Sequence, residues 1–108
     1  MNNGDSATAI NDGYKNATEE FLAICEEKGI IPILTTTPCT PTVNNSFKNA
    51  YVKASGYRYI DFARAVGGEE VGSAWYTGML HTDNVHPTGV GAKALYTQVL
   101  VDFPEMIH

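Results

Sequence analysis

Ile30-Ile31-Pro32-Ile33-Leu34-Thr35-Thr36 decides the fold class. The run is rich in β-branched residues, too short for a helix, and its proline sits near the beginning, where a strand tolerates a missing N–H donor. It reads as a buried parallel strand, ended by Thr37-Pro38-Cys39-Thr40-Pro41. Upstream, Ile10, Tyr14, Ala17, Phe21, Ile24 and Cys25 recur at spacings of four and three. That spacing predicts an amphipathic helix from about Ser6 to Lys28, stopped by Gly29, with Glu19, Glu20, Glu26 and Glu27 on its solvated side. Downstream, Phe47, Ala50, Tyr51 and Ala54 outline a second helix ending near Gly56, and Tyr57-Arg58-Tyr59-Ile60-Asp61 reads as a second strand. Phe62 to Val66 adds a helical turn, the chain is irregular from Gly67 to Thr82, and Ala92, Leu95, Val99 and Phe103 give a last helix its inward face before Pro104. Helix, strand, helix, strand, helix is the α/β order, and the handedness of crossovers predicts a parallel strand pair with helices packed on it.

Composition bounds the rest. A chain of 108 residues makes one small domain or part of one. Hydrophobic content of 44% and charged content of 18% are globular values. A net charge of −5 with seven scattered basic residues excludes a nucleic-acid or anionic-membrane surface. The longest apolar runs fall far short of the ~18 residues of a membrane span. Cys25 and Cys39 are too few for a disulfide scaffold and lack metal-binding spacing. Cys25 lies on the helical apolar stripe, and Cys39 reads as a loop thiol past a strand end. The compartment stays open, and an exported parent would carry its signal outside this chain. Asn16-Ala17-Thr18 and Asn44-Asn45-Ser46 match the glycosylation pattern, which bears on function only in a secretory host.

The chemistry concentrates in Asp83-Asn84-Val85-His86-Pro87-Thr88-Gly89-Val90-Gly91. An Asp accepting a hydrogen bond from one ring nitrogen of His86 would fix its tautomer and leave the other nitrogen as a general base. Pro87 suits entry into a helix and Thr88 suits a cap, so both groups should sit on a short rigid turn at a helix N-terminus. Asp83-Asn84-Val85-His86-Pro87 followed by Gly91-Ala92-Lys93-Ala94-Leu95 resembles the C-terminal D-x-x-H-P block of the SGNH (GDSL-type) hydrolases, esterases with a three-layer α/β/α, flavodoxin-like parallel sheet. The resemblance implies that Asp83 and His86 are two members of a Ser-His-Asp triad, that the chain is the C-terminal part of a single such domain, and that the substrate is a small-molecule ester, such as an acetylated carbohydrate or a lipid. It requires no cofactor and no metal.

Following the resemblance upstream, Leu34-Thr35-Thr36-Thr37-Pro38 and Tyr59-Ile60-Asp61 occupy the places of the family's later strands, and Met1-Asn2-Asn3 resembles the tail of its G-x-N-D block. Asn2 would then match the oxyanion-hole Asn. Asn11-Asp12 competes, but a start there leaves room for only about half of the helix that must precede Ile30. Gly4-Asp5-Ser6 spells the family's nucleophile motif, yet no apolar strand precedes it, so Ser6 reads as a helix cap in preference to a nucleophile. Among rival readings, His81, Asp83 and His86 form H-x-D-x-x-H, three metal donors without an evident fourth; Trp75 and Tyr76 form either a substrate wall or core; and His108 is a terminal residue without a role. The rival from another class is a non-catalytic carbohydrate- or protein-binding module that keeps the fold. Two strands leave a sheet edge open, which predicts a homodimer or pairing with a missing N-terminal half.

Overall fold

The computed structural model describes residues 7–72 and 74–106 and divides into two compact units, Met1–Ile33 and Leu34–His108. The first unit holds helix α1, Ala7–Lys28. Gly29, at φ +69°, takes the left-handed conformation that ends a helix at little cost, and the Ile30 N–H bonds the Cys25 carbonyl at 2.8 Å. Cys25 is buried, as its place on the stripe predicts, but Ala17, Phe21 and Ile24 of the same stripe are exposed.

In the second unit, β1 (Leu34–Thr35) pairs in parallel with β2 (Tyr59–Ile60), Leu34 opposite Tyr59 and Thr35 opposite Ile60. Helix α2, Ser46–Ala54, makes the connection, as the crossover rule predicts. The strands are much shorter than their sequence runs. Pro32 has no N–H for a ladder, and pairing begins only at Leu34, whose N–H bonds the Arg58 carbonyl at 3.0 Å. The expectation of a buried strand from Ile30 is therefore corrected: Ile31, just before the proline, is 85% exposed.

Beyond β2 come α3 (Phe62–Val66), α4 (Gly89–Asp102) and a short 3-10 helix, Pro104–Met106. Asp61 caps α3, its carboxylate accepting from the Arg64 N–H and from the Thr36 hydroxyl at 2.8 Å. Of the residues expected on the inward face of α4, Leu95, Val99 and Phe103 are half-buried, but Ala92 does not belong to it. Gly91 is buried while Ala92 is exposed, because a β-carbon at position 91 would collide with the Met79 carbonyl. That face also carries Asp102, which accepts from the Asp61 N–H at 2.7 Å and the Gln98 amide at 2.8 Å.

Two asparagines that sequence reasoning passed over brace the loop after β1. Asn49, one turn into α2, accepts from the Thr37 N–H at 2.7 Å and donates to the Thr37 carbonyl at 2.8 Å. Asn45 donates to the Pro38 carbonyl at 3.1 Å, and its own N–H reaches the Cys39 sulfur at 3.3 Å. Cys39 is thus a fully buried thiol held in the loop brace rather than an open loop thiol. Among the described residues, no helix is long and apolar enough to cross a membrane.

Candidate functional site

The irregular chain between α3 and α4 closes on itself as a small antiparallel ribbon. Leu80 bridges Pro87, the Thr88 N–H bonds the Met79 carbonyl at 2.9 Å, and the His81 N–H bonds the His86 carbonyl at 2.9 Å. Pro87 therefore lies in the ribbon and not in the helix, two residues before α4 starts. Thr88 is the helix cap, as expected: its hydroxyl accepts from the Gly91 N–H at 3.1 Å and donates to the Gly78 carbonyl at 2.5 Å. The ribbon is pinned to the start of α4 at this one residue. At its tip Asn84 adopts φ +59°, a conformation that asparagine tolerates better than most residues.

Asp83 is fastened from three directions. Its Oδ1 accepts from the Val85 N–H at 2.8 Å and the His86 N–H at 3.0 Å, and its Oδ2 lies 2.7 Å from His86 Nδ1. The bond from the His86 amide, then the His86 ring, then the Val85 amide hold the Asp83 carboxyl well below the usual carboxylate range. Ionised, it only accepts, so His86 Nδ1 carries a proton, and in the neutral ring Nε2 is then the nitrogen with the lone pair. The His86 side chain is 76% exposed, and no described residue bonds its Nε2. This is the arrangement of an oriented general base.

The carboxyl shift has a definite sign. A group whose folded pKa is lowered stabilises the fold fully above its unfolded value, about pH 4, and that contribution is lost as pH falls through the folded value. Followed by its carboxyl carbon resonance on acidification, Asp83 should titrate below the ordinary aspartate range. A midpoint within that range would mean that the three-way fastening is absent in solution.

A scan against protein-family models found no match, and searches of curated proteins and of solved structures found none either. The site therefore stands on its own geometry. Asp83 and His86 are brought together as expected. Asn2 lies outside the described residues, as do Ser6 and His108, and Asn11 sits half-buried within α1. Among the described residues no cluster of three histidines, cysteines or carboxylates is disposed to hold a metal ion. Asp83 already spends both oxygens on the turn and on His86.

The two aromatic residues of the irregular segment separate. Trp75 is 8% exposed and its indole N–H donates to the Cys39 carbonyl at 2.7 Å, so it braces the loop after β1 and is not an open wall. Tyr76 is 58% exposed, with its ring laid against Gly67. The Met79 N–H bonds the Tyr76 carbonyl at 3.1 Å, which places Tyr76 at the base of the ribbon. His81, weighed only as a metal donor in the sequence, faces His86 across that ribbon.

Proposed function

We propose that this chain is the C-terminal part of a serine ester hydrolase of the SGNH type, with a three-layer, flavodoxin-like parallel sheet in the whole domain, and that it contributes the His-Asp part of the triad. The observation that carries the reading is the 2.7 Å contact between Asp83 Oδ2 and the Nδ1 of an otherwise open His86. In this proposal a serine outside this chain attacks the ester carbonyl while His86 Nε2 takes its proton. Asp83 stabilises the imidazolium that forms, and the developing oxyanion is met by Asn2, a contribution of about 3–4 kcal/mol in such sites. The protonated His86 then gives its proton to the departing alkoxide as the C–O bond breaks. Water, deprotonated by the same nitrogen, releases the acid and restores the serine. The substrate is a small-molecule ester, such as an acetylated sugar or a lipid.

Hydrolysis of p-nitrophenyl acetate tests the reading on two proteins, the 108-residue chain and the longest reading frame that contains it. The chain alone should show no acyl-enzyme burst, because a base and its orienter without a nucleophile form no acyl intermediate. The longer protein should turn over in a His86-dependent way. Activity of the chain that disappears in Ser6→Ala would make Gly4-Asp5-Ser6 the nucleophile block. Inactivity of both proteins would leave the non-catalytic binding module as the better account.

We also propose that the chain associates, as a homodimer or with the missing N-terminal half of the domain. The support is the two-stranded sheet, in which each strand has an edge without a strand partner among the described residues. Sedimentation at micromolar concentration should show a species larger than the monomer. A clean, folded monomer would count against the half-domain reading itself.

A further inference from the structure

The triad reading leaves His81 without a task, yet it is built into the same turn. Its N–H donates to the His86 carbonyl, one step toward the tip from the Leu80–Pro87 bridge, so the two histidines are directly opposed. Opposed residues of an antiparallel ribbon project their side chains to one face, with β-carbons about 5 Å apart. The two rings therefore share a face, and their Nδ1 atoms meet groups of opposite character. His86 Nδ1 meets the Asp83 carboxylate, an acceptor. His81 Nδ1 lies 3.4 Å from the Asp83 backbone nitrogen and 3.4 Å from the Thr82 hydroxyl. A backbone N–H only donates, so His81 Nδ1 offers it a lone pair. The same nitrogen is 3.9 Å from Asp83 Oδ1, a separation that would suit an ion pair with a protonated ring. We give the N–H contact precedence, because a proton on Nδ1 would oppose the Asp83 N–H head on, whereas the carboxylate is already satisfied by other donors.

We infer that His81 is a positioning residue for the Asp83–His86 pair: the Asp83 amide holds His81 as the Nε2–H tautomer while the Asp83 carboxylate holds His86 as the Nδ1–H tautomer. One aspartate thus orders both rings, through its main chain on one side and its side chain on the other. The shared face then presents a bare nitrogen on His86 beside an N–H on His81, a base next to a donor. Resting on the esterase reading, that donor is placed for an oxygen of the ester or of its leaving alcohol. The tautomers themselves do not depend on that reading.

Long-range proton–nitrogen correlation spectra of the protein labelled with 15N-histidine, taken where both rings are neutral, decide the assignment. The expected spectrum has His86 protonated at Nδ1 and His81 protonated at Nε2. His81 protonated at Nδ1, or exchanging between tautomers, overturns the positioning role and leaves the esterase reading standing. His86 protonated at Nε2 overturns both, since the base nitrogen would then be occupied. Two variants probe the contact itself. His81→Asn keeps an acceptor oxygen near the place of Nδ1, whereas His81→Phe keeps a ring and removes the acceptor. Hydrogen exchange at the Asp83 amide should be nearly unchanged in His81→Asn and faster by about fivefold in His81→Phe, with His86 losing its single tautomer only in the latter. Equal exchange and an intact His86 tautomer in both variants would overturn the inference.

Discussion

On the proposed esterase reading, Asp83→Asn should lower ester turnover by the active form of the protein about 10⁴-fold while leaving KM little changed. The side-chain oxygen of asparagine can still accept from the Val85 and His86 amides, which Asp83 Oδ1 now does, so the turn keeps its shape. The amide NH2 then occupies the place of Oδ2 and points a donor at His86 Nδ1. The ring answers by presenting a lone pair there and moving its proton to Nε2, the nitrogen required as base. Turnover is lost through a wrong tautomer, not a wrong structure. Steady-state kinetics on wild type and variant check this, with circular dichroism to confirm an unchanged fold. A loss smaller than tenfold in kcat would show that Asp83 is not the orienter.

Trp75→Ala should destabilise the chain by about 3–5 kcal/mol, the cost of emptying a large buried aromatic site. Trp75 is nearly fully buried and its indole holds the Cys39 carbonyl, whose loop is in turn tied to α2 by Asn45 and Asn49. Gly68 packs so closely beneath it that a β-carbon there would lie 3.0 Å from the indole nitrogen and 2.8 Å from the Cys39 carbonyl oxygen. A small domain has roughly 5–15 kcal/mol in all, so this one truncation removes a large share. Trp75→Phe, which keeps most of the area and loses the N–H donor, should cost only about 1 kcal/mol plus a small cavity. Urea unfolding followed by circular dichroism compares the three proteins, since the chain has no other tryptophan for fluorescence. Equal midpoints for wild type and Trp75→Ala would show that the loop stands without the indole.

What was legible in the sequence follows how local the cause was. The helices α1 and α2 and the α3 turn appeared where periodicity and glycine stops put them, because a 3.6-residue repeat is written within the segment itself. The parallel pair and its crossover were also legible, but not the strand lengths: β-branched composition marks Ile30 to Thr36 evenly, while Pro32 confines the ladder to its end. In α4 the apolar stripe misplaced Ala92, because Gly91 is turned inward by a close approach to Met79 that lies twelve residues away and leaves no trace in hydropathy. At the candidate site, Asp83 and His86 were legible from a short spacing. His81 was not legible as their neighbour, because its place depends on a ribbon whose second strand is a proline, the residue least expected in a ladder. Asn45 and Asn49 serve the main chain of a loop several residues upstream, and nothing about an asparagine in a sequence announces which carbonyl it will meet.

The fastening of β2 to the far end of the chain sets an order of events during synthesis. Arg58, just before β2, donates to the Asp102 carbonyl and the Glu105 carboxylate and lies over the Phe103 ring, while the Asp61 N–H at the other end of β2 is held by Asp102. These contacts span more than forty residues and involve the end of α4 and the short 3-10 helix after it. A chain emerging from the ribosome can form α1 and α2 and close β1 on β2 early, since those need only what has already been made. The lock on β2 waits until Asp102 and Glu105 are out. Until then the Asp83 turn, tied through Thr88 to a helix whose far end is still unmade, has no fixed frame, and the surroundings of His86 are complete only after Glu105 has emerged.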